Sequence, residues 1–330
     1  MFFLSFDLPV NAQETMRPAP APLYRDPITD GAADPVLVWN RDSHSWWMLY
    51  TQRTANIDAP DVAYCYGTQI GAAESTDNGH TWVYRGTLDL DFEKGHNTFW
   101  APDVVYSNGK YHLFIAYIRG VRSHWGGDKQ IVHYTSKNLW DWKYEGALPL
   151  SSSSVIDATV FQKPDGKWRL WYKDEMAGSH TFMVESDNLY KWSAPQQVIG
   201  KGAHEGPKVF SYKGYFWMLT DEWQGLRVYR SKDLDNWEKQ DLILAESSYR
   251  TDDGPTGAHA DVVVTDNGAY VFYFTHPGRM SHTSGELDEN GVLPYKLRRS
   301  SIQVGELIFK DGRLSCNHNT DFDYFLPDGE

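Results

Sequence analysis

The sequence predicts an all-β protein, a five-bladed β-propeller of four-stranded antiparallel blades. Two repeated patterns and the near absence of helical periodicity predict this fold. One pattern, a serine followed by polar residues and a tryptophan, occurs four times, each time after a short β-like segment. The other is an aromatic-rich strand that occurs five times, four of them after a glycine-containing turn. A β-sandwich would not repeat its turns in register, so the propeller is preferred.

Each repeat starts with a short apolar strand that has an acidic residue at or just before its beginning. These acids are about 57 residues apart on average, close to the roughly 50 residues of known propeller repeats. They are Asp34, Asp103, Asp157, Glu205 and Asp261. A turn and the aromatic strand follow, over Trp46–Tyr50, Tyr111–Ala116, Trp168–Tyr172, Tyr215–Thr220 and Tyr270–Phe274. A third strand, the serine-to-tryptophan turn and a fourth strand complete a predicted blade.

The domain organisation predicted is a lead-in over residues 1–22 and a single propeller over 23–330, because no linker interrupts the repeat. Val10-Asn11-Ala12 resembles a signal cleavage site, yet the stretch before it contains Asp7 and has no basic region. Two interpretations stay open, an export signal shortened at its start and a cytosolic N terminus. We prefer the first and expect a secreted or periplasmic protein.

Composition excludes several classes of protein. The 330 residues carry a net charge of −13, which disfavours nucleic acid as a partner. Two cysteines, Cys65 and Cys316, cannot form a disulfide framework, and whether they pair is left open. No stretch approaches the ~20 apolar residues of a membrane span. Aromatic residues make up 15% of the chain, which suits either a packed β core or a sugar-binding surface. Composition says nothing of the oligomeric state.

The five acids are the candidate chemical groups. In a propeller the innermost strands line a central channel, so we expect the acids to converge at one mouth of it. Neighbouring carboxylates raise each other's pKa, and two carboxyl groups with separated pKa values are what hydrolysis of a glycosidic bond needs. Function is the preferred interpretation for Asp34, Asp157 and Glu205. For Asp103 and Asp261, a cap on a turn explains the residue at least as well.

Four motifs carry a resemblance to a known family. They are Ala33-Asp34-Pro35, Trp100-Ala101-Pro102-Asp103, Ile156-Asp157 and Glu205-Gly206-Pro207. Because these four motifs occur in this order, the chain resembles glycoside hydrolase family 43 and related propeller glycosidases. The resemblance implies a five-bladed propeller and an inverting mechanism, with Asp34 as general base and Glu205 as general acid. Asp157 would tune the pKa of Glu205 and orient it.

The resemblance implies an exo-acting enzyme on a furanose or pentose of a polysaccharide or oligosaccharide. An α-L-arabinofuranosidase comes first, then a β-D-galactofuranosidase or β-xylosidase. His204, directly before Glu205, opens an alternative: an enzyme that cleaves anhydro-galactose sugars of agar or carrageenan with this histidine as acid. A second alternative is a propeller that binds carbohydrate without catalysis. Arg25-Asp26-Pro27 resembles a motif of retaining fructosidases, so Asp26 competes with Asp34 as base, although Asp34 fits the repeat better.

Further residues are candidates for binding. Trp100 and His96 lead into the second blade and are expected above the pocket, where an aromatic ring can stack on a sugar. Arg250, Asp103 and His204 are further candidate substrate contacts. By resemblance, His259 would approach a cation in the central channel, often calcium, largely through water. No organic cofactor is expected, and the expected partner is carbohydrate.

Overall fold

The computed structural model describes residues 17–281 and 285–329, so most of the predicted lead-in lies outside the described residues. The strands are β1 (Arg17–Pro18), β2 (Ala32–Asn40), β3 (Ser45–Gln52), β4 (Gln69–Ser75), β5 (Val83–Thr87), β6 (Thr98–Ser107), β7 (Lys110–Ile118), β8 (Gln130–Ser136), β9 (Lys143–Ala147), β10 (Val155–Gln162), β11 (Trp168–Asp174), β12 (His180–Ser186), β13 (Gln196–Ile199), β14 (Glu205–Tyr212), β15 (Tyr215–Asp221), β16 (Leu226–Ser231), β17 (Glu238–Ile243), β18 (Ala258–Thr265), β19 (Gly268–Thr275), β20 (Ser301–Lys310), β21 (Arg313–Ser315) and β22 (Asp323–Tyr324). A 3₁₀ helix covers Val62–Cys65 and a short α-helix, α1, covers Tyr295–Arg298.

The predicted propeller is confirmed. Five antiparallel sheets of four strands follow one another along the chain, β2 to β5, β6 to β9, β10 to β13, β14 to β17 and β18 to β21. The first strands of neighbouring blades contact each other around a ring, and β18 contacts β2, which closes the ring. These five inner strands therefore enclose the central channel.

The aromatic residues pack mainly between blades. The core is divided into clusters, and most clusters join the strands of two adjacent blades. Trp171 and Trp217, both completely buried, belong to the clusters between blades three and four and between blades four and five. The repeated turn has a local cause as well, since the indole nitrogens of Trp82, Trp142 and Trp237 each donate to a carbonyl three residues earlier.

A one-residue bulge near the start of each inner strand decides which side chains face the channel together. In every blade the pairing of the first and second strands shifts directly after one residue, which we call position one. Position one is Ala33, Trp100, Ile156, Glu205 and Ala258 in blades one to five. Position two is Asp34, Ala101, Asp157, Gly206 and His259. Position four is Val36, Asp103, Thr159, Lys208 and Asp261.

The expectation that the five acids occupy equivalent positions is wrong. Glu205 is at position one, Asp34 and Asp157 are at position two, and the other two acids are at position four. We call Asp34, Asp157, Glu205 and His259 the upper layer, and Asp103, Lys208 and Asp261 the lower layer. An extra residue in a strand reverses the side-chain alternation beyond it, so spacing alone could not reveal this offset.

The two described ends of the chain meet on the propeller. β1 pairs with β22, and Tyr24 bridges to Ile302 of the last blade. Cys65 and Cys316 are both free thiols. Within residues 17–281 and 285–329, no helix is long and apolar enough to cross a membrane.

Candidate active site

One cavity of about 660 Å³ lies at the end of the channel where the inner strands begin. Side chains from all five blades line it. They include Asp34, Arg53, Trp100, Trp125, Asp157, Lys173, Glu175, Glu205, Trp223, His259, Phe274 and His276. The three carboxylates predicted to carry the chemistry therefore line one cavity, together with the predicted His259.

Asp34 is held between two basic groups. One of its oxygens lies 3.4 Å from Nη2 of Arg53, and the other lies 3.6 Å from Nδ1 of His259. Arg53 also stacks over Phe274, with 4.8 Å from its guanidinium carbon to the ring centroid. The Asp34 carboxyl group thus faces the cavity with a basic side chain near each of its oxygens.

Asp157 is connected to the backbone beside Glu205. Its Oδ2 accepts a hydrogen bond of 3.1 Å from the amide nitrogen of Gly206. Burial raises the pKa of Asp157 to about 7, with the negative charges of Glu205 and Asp34 adding to the rise and His259 opposing it. A carboxyl group at this position fixes the peptide that follows Glu205.

Gly206 leaves space for the ring of His259. Its φ of +55° lies in the left-handed region, which Asp34, Ala101 and Asp157 also adopt at the equivalent position, so the backbone conformation alone does not demand glycine. A Cβ at Gly206 would lie 2.9 Å from the His259 ring. This glycine thus lets the imidazole pack against the strand.

Glu205 pairs with a buried lysine that the sequence reasoning did not single out. Oε2 of Glu205 lies 2.9 Å from Nζ of Lys173, and the same ammonium is 3.5 Å from Oε1 of Glu175. Burial opposes the charge on Lys173, but the surrounding carboxylates raise its pKa above the ordinary value. The signal for this residue was a lysine directly after the aromatic residues of the buried strand β11.

Asp221 is a fourth carboxylate in the cluster and was also missed. It pairs with Glu205 across β14 and β15, and it is almost completely buried. Its two oxygens accept backbone hydrogen bonds from Trp223 and His259, at 2.6 and 3.1 Å. Burial, with the charge of Glu205, raises the pKa of Asp221 to about 7. Its signal was an aspartate at the end of the apolar strand β15.

His259 lies among these carboxylates. Burial lowers the pKa of an imidazole, but the charges of Asp157, Asp34, Glu205 and Asp221 outweigh it and raise the pKa of His259 above its ordinary value. The positive imidazole partly neutralises the upper layer. The sequence predicted a role for His259 near a cation in the central channel, whereas the structure places its imidazole among four carboxylates.

The lower layer lies outside the cavity lining, which corrects the expected role of Asp103 in substrate binding. Nζ of Lys208 lies 2.8 Å from an oxygen of Asp103 and 2.7 Å from an oxygen of Asp261. Burial disfavours the charge on Lys208, but these two carboxylates raise its pKa. The interpretation of Asp103 and Asp261 as structural acids fits this placement.

His204 does not line the cavity. Its Nε2 lies 2.6 Å from the hydroxyl of Thr181, and its Nδ1 lies 2.9 Å from the carbonyl of Gly202. Burial lowers its pKa. Both ring nitrogens are engaged in holding the loop before β14, which does not fit the alternative in which His204 serves as the acid.

Arg250 and His96 also lie elsewhere than expected. The Arg250 guanidinium donates to the carbonyls of Val304 and Pro20, at 2.8 and 3.1 Å, so it joins the last blade to the N-terminal segment. His96 is exposed, and its Nε2 lies 3.0 Å from the carbonyl of Gly67. Neither side chain lines the cavity, so the structure gives no support to their roles as substrate contacts.

Asp26 is a buried structural residue outside the cavity lining. Its Oδ1 accepts the backbone amides of Ile28 and Thr29 at 2.7 and 2.6 Å, and its Oδ2 accepts from Gln52 at 2.8 Å. With its lone pairs engaged in this way, Asp26 shapes the turn before β2. Of the two candidates for the base, only Asp34 faces the cavity.

Tryptophans form one wall of the cavity. Trp100 donates its indole N–H to the carbonyl of Cys65 at 2.6 Å and packs edge-on against Tyr66. Trp125 lies beside it with 6.0 Å between ring centroids, and it is 61% exposed. The sequence reasoning chose Trp100, but Trp125 presents far more of its ring to solvent.

The residues present do not fit the divalent cation expected near His259. Among residues 17–281 and 285–329, no group of three His, Cys, Asp or Glu side chains is arranged to hold a metal ion. Nδ1 of His259 faces Asp34. The acids of the lower layer already share the ammonium of Lys208.

The chain has recognisable relatives. The family model described as "Glycosyl hydrolases family 43" matches residues 81–222, which include Asp157 and Glu205. The chain is thus related to glycoside hydrolase family 43. The predicted resemblance to this family is confirmed.

Two curated relatives show how distant the similarity is. A probable arabinan endo-1,5-α-L-arabinosidase A of Emericella nidulans is 24% identical over 188 residues, which are 50% of this chain and 55% of the relative. A β-xylosidase of Bacillus subtilis is 26% identical over 173 residues, 47% of this chain and 32% of the relative. The chain thus spans about half or less of the length of these curated relatives.

Solved structures share the fold over almost the whole chain. A thermostable family-43 glycoside hydrolase superposes with a TM-score of 0.65 at 20% identity, covering 90% of this chain and 96% of that one. A β-xylosidase/α-arabinofuranosidase from a compost microbial metagenome, in complex with xylotriose and in a calcium-free form, gives a TM-score of 0.66 at 16% identity. It covers 91% of this chain and 99% of that one.

Proposed function

We propose that the protein is an inverting glycoside hydrolase that removes single furanose or pentose residues from oligosaccharide or polysaccharide ends, with α-L-arabinofuranosides as the first candidate substrates. The observation that carries the proposal is that Asp34, Asp157 and Glu205 line one cavity. Asp34 and Glu205 reach this cavity from different blades, and inversion needs two carboxylates far enough apart, roughly 6.5–9.5 Å, to hold a water between them and the sugar.

In the proposed reaction, Asp34 takes a proton from the attacking water while Arg53 and His259 stabilise its charge. Glu205 donates a proton to the leaving oxygen. Lys173 favours the ionised form of Glu205, whereas the nearby Asp157 and Asp221 favour its protonated form. Asp157 also fixes the backbone next to Glu205 through the amide of Gly206.

Removal of single residues is supported by the walls of the cavity. Residues from all five blades surround it, and the segment between β19 and β20 adds Leu287 and Leu293. Enclosure on all sides favours a chain end over the middle of a polysaccharide. The aromatic wall of Trp100 and Trp125 offers an apolar surface to the C–H face of a sugar.

A panel of aryl glycosides tests this proposal. Aryl α-L-arabinofuranoside, β-D-galactofuranoside and β-D-xyloside would be compared, with NMR of the anomer first released. We expect cleavage with inversion, and a retained anomer would contradict the mechanism. Digestion of linear arabinan should release monosaccharide from the start, whereas early release of oligosaccharides would contradict the exo mode. Binding of these sugars without cleavage would favour a non-catalytic propeller.

A further inference from the structure

The lower layer places a lysine ammonium at the centre of the channel. Lys208 comes from blade four, and its Nζ bridges Asp103 of blade two and Asp261 of blade five at 2.8 and 2.7 Å. The lysine side chain is only 15% exposed. A charge buried this far is stable only when it is paired, so both carboxylates are needed to hold it.

The same carboxylates reach the two remaining blades. The second oxygen of Asp103 accepts the amide of Val160 in blade three at 2.7 Å. The second oxygen of Asp261 accepts the amide of Leu37 in blade one, also at 2.7 Å. Five blades are therefore joined across the channel through one ammonium and two carboxylates.

A divalent cation between the two acids would make the same connection by neutralising their charge. The chain supplies that positive charge from the side chain of Lys208, three residues after Glu205. We propose that Lys208 is the resident cation of the channel, so that the propeller closes and the upper layer keeps its geometry without a divalent metal. The proposal departs from what the family resemblance implies, and it does not depend on which sugar the protein cleaves.

Thermal unfolding of the wild-type protein is the first test. We expect the same Tm after treatment with EDTA and after addition of millimolar calcium chloride, and elemental analysis should find no stoichiometric metal in the purified protein. A Tm that falls with EDTA and recovers with calcium would overturn the proposal, as would one equivalent of bound metal. Because this test measures unfolding and not glycoside cleavage, a result against the proposal on Lys208 is distinguishable from a result against the proposed enzyme activity.

Lys208→Ala is the second test. Removing one partner of a buried ionic cluster leaves unpaired charges, so we expect the Tm to fall by on the order of 5–10 °C. Calcium should now raise the Tm by at least about 2 °C, because two carboxylates face the space that the ammonium filled. Lys208→Ala combined with Asp103→Asn should lose most of this response.

Lys167→Ala is the matched control, because the Lys167 side chain is 52% exposed and pairs only weakly with Asp187. It should change neither the Tm nor the response to calcium. A Lys208→Ala protein with the wild-type Tm, or one that calcium does not stabilise, would contradict the proposal. If Lys208→Ala does not fold, the wild-type measurements with EDTA and calcium decide the question alone.

Discussion

The upper and lower layers of the channel both combine carboxylates with a basic side chain on the inner strands. β14 and β18 contribute to both layers, since Lys208 lies three positions after Glu205 and Asp261 lies two positions after His259. In the lower layer two carboxylates share one ammonium and accept backbone amides, and neither lines the cavity. In the upper layer the carboxylates line the cavity, and burial raises the pKa of Asp157 to about 7. Acids of both layers contact basic side chains, so access to the cavity, more than residue type, separates acids that stabilise the fold from acids that can transfer protons.

The largest expected effect is the loss of activity when an upper acid is replaced. Asp34→Asn and Glu205→Gln should each lower kcat/KM on a natural glycoside by about 10²–10⁴, since each removes a proton-transferring group. An aryl substrate with an activated leaving group should restore much of the activity of Glu205→Gln but none of Asp34→Asn.

The lower layer provides the contrasting variant. Asp103→Asn should lower the Tm but leave the kcat of the folded protein within about tenfold of wild type, because this acid does not contact the cavity. If Asp103→Asn lost as much activity as Glu205→Gln at full stability, the division into two layers would be wrong.

A smaller effect is expected in the pH dependence of stability. Asp221 has a pKa of about 7 in the folded protein and near 4 when unfolded, so the folded state holds its proton more tightly. The stabilisation of the folded protein by protonated Asp221 is fully present below about pH 4 and is lost as the pH rises through about 7. As the pH rises from about 4 to about 7, the free energy of unfolding of Asp221→Asn should therefore increase by roughly 1–3 kcal/mol relative to that of the wild type, measured by urea unfolding. The exposed Asp187→Asn is the control and should show no such trend.

Next in size are opposite shifts of the pH–activity profile. Lys173→Met removes a positive charge beside Glu205, so the alkaline limb of kcat/KM should move up by on the order of 0.5–1 pH unit. Asp221→Asn removes a negative neighbour and should move the same limb down. The exposed Lys191→Met should leave it unchanged. Shifts of both variants in one direction would contradict the charge balance proposed for Glu205.

The smallest effect is expected at the aromatic wall. Trp125→Ala should raise KM by about 2–12-fold with little change in kcat, because stacking on a sugar contributes about 0.5–1.5 kcal/mol. Trp125→Phe should recover part of the loss. An unchanged KM for a trisaccharide would show that this ring, although exposed, does not contact the substrate.

The sequence was sufficient for the fold because the serine-to-tryptophan turn and the aromatic strand recur with every blade. It also predicted that Asp34, Asp157 and Glu205 meet at one mouth of the channel, where they lie at the bulge, and their catalytic roles stay predictions. Asp103 was placed at an equivalent position in error, since a bulge adds a residue without leaving a signature in spacing. Lys173 and Asp221 come from second strands. Asp221 meets Glu205 through strand pairing within blade four, and Lys173 reaches Glu205 from the neighbouring blade three. No local pattern could bring them together, although a charge that ends an apolar strand was a usable signal.

The bulge has a consequence for how such a site can change. Asp34, Ala101 and Asp157 share the same left-handed backbone, with φ of 50°, 50° and 59°, although each belongs to a different blade. Non-glycine residues adopt this conformation at a cost, so the fold maintains it whatever side chain is attached. Blades one to three therefore present equivalent attachment points at one depth of the channel. Catalytic groups can then be exchanged among blades by single substitutions, and Ala101 is a point at which a new functional group could be introduced without redesigning the backbone.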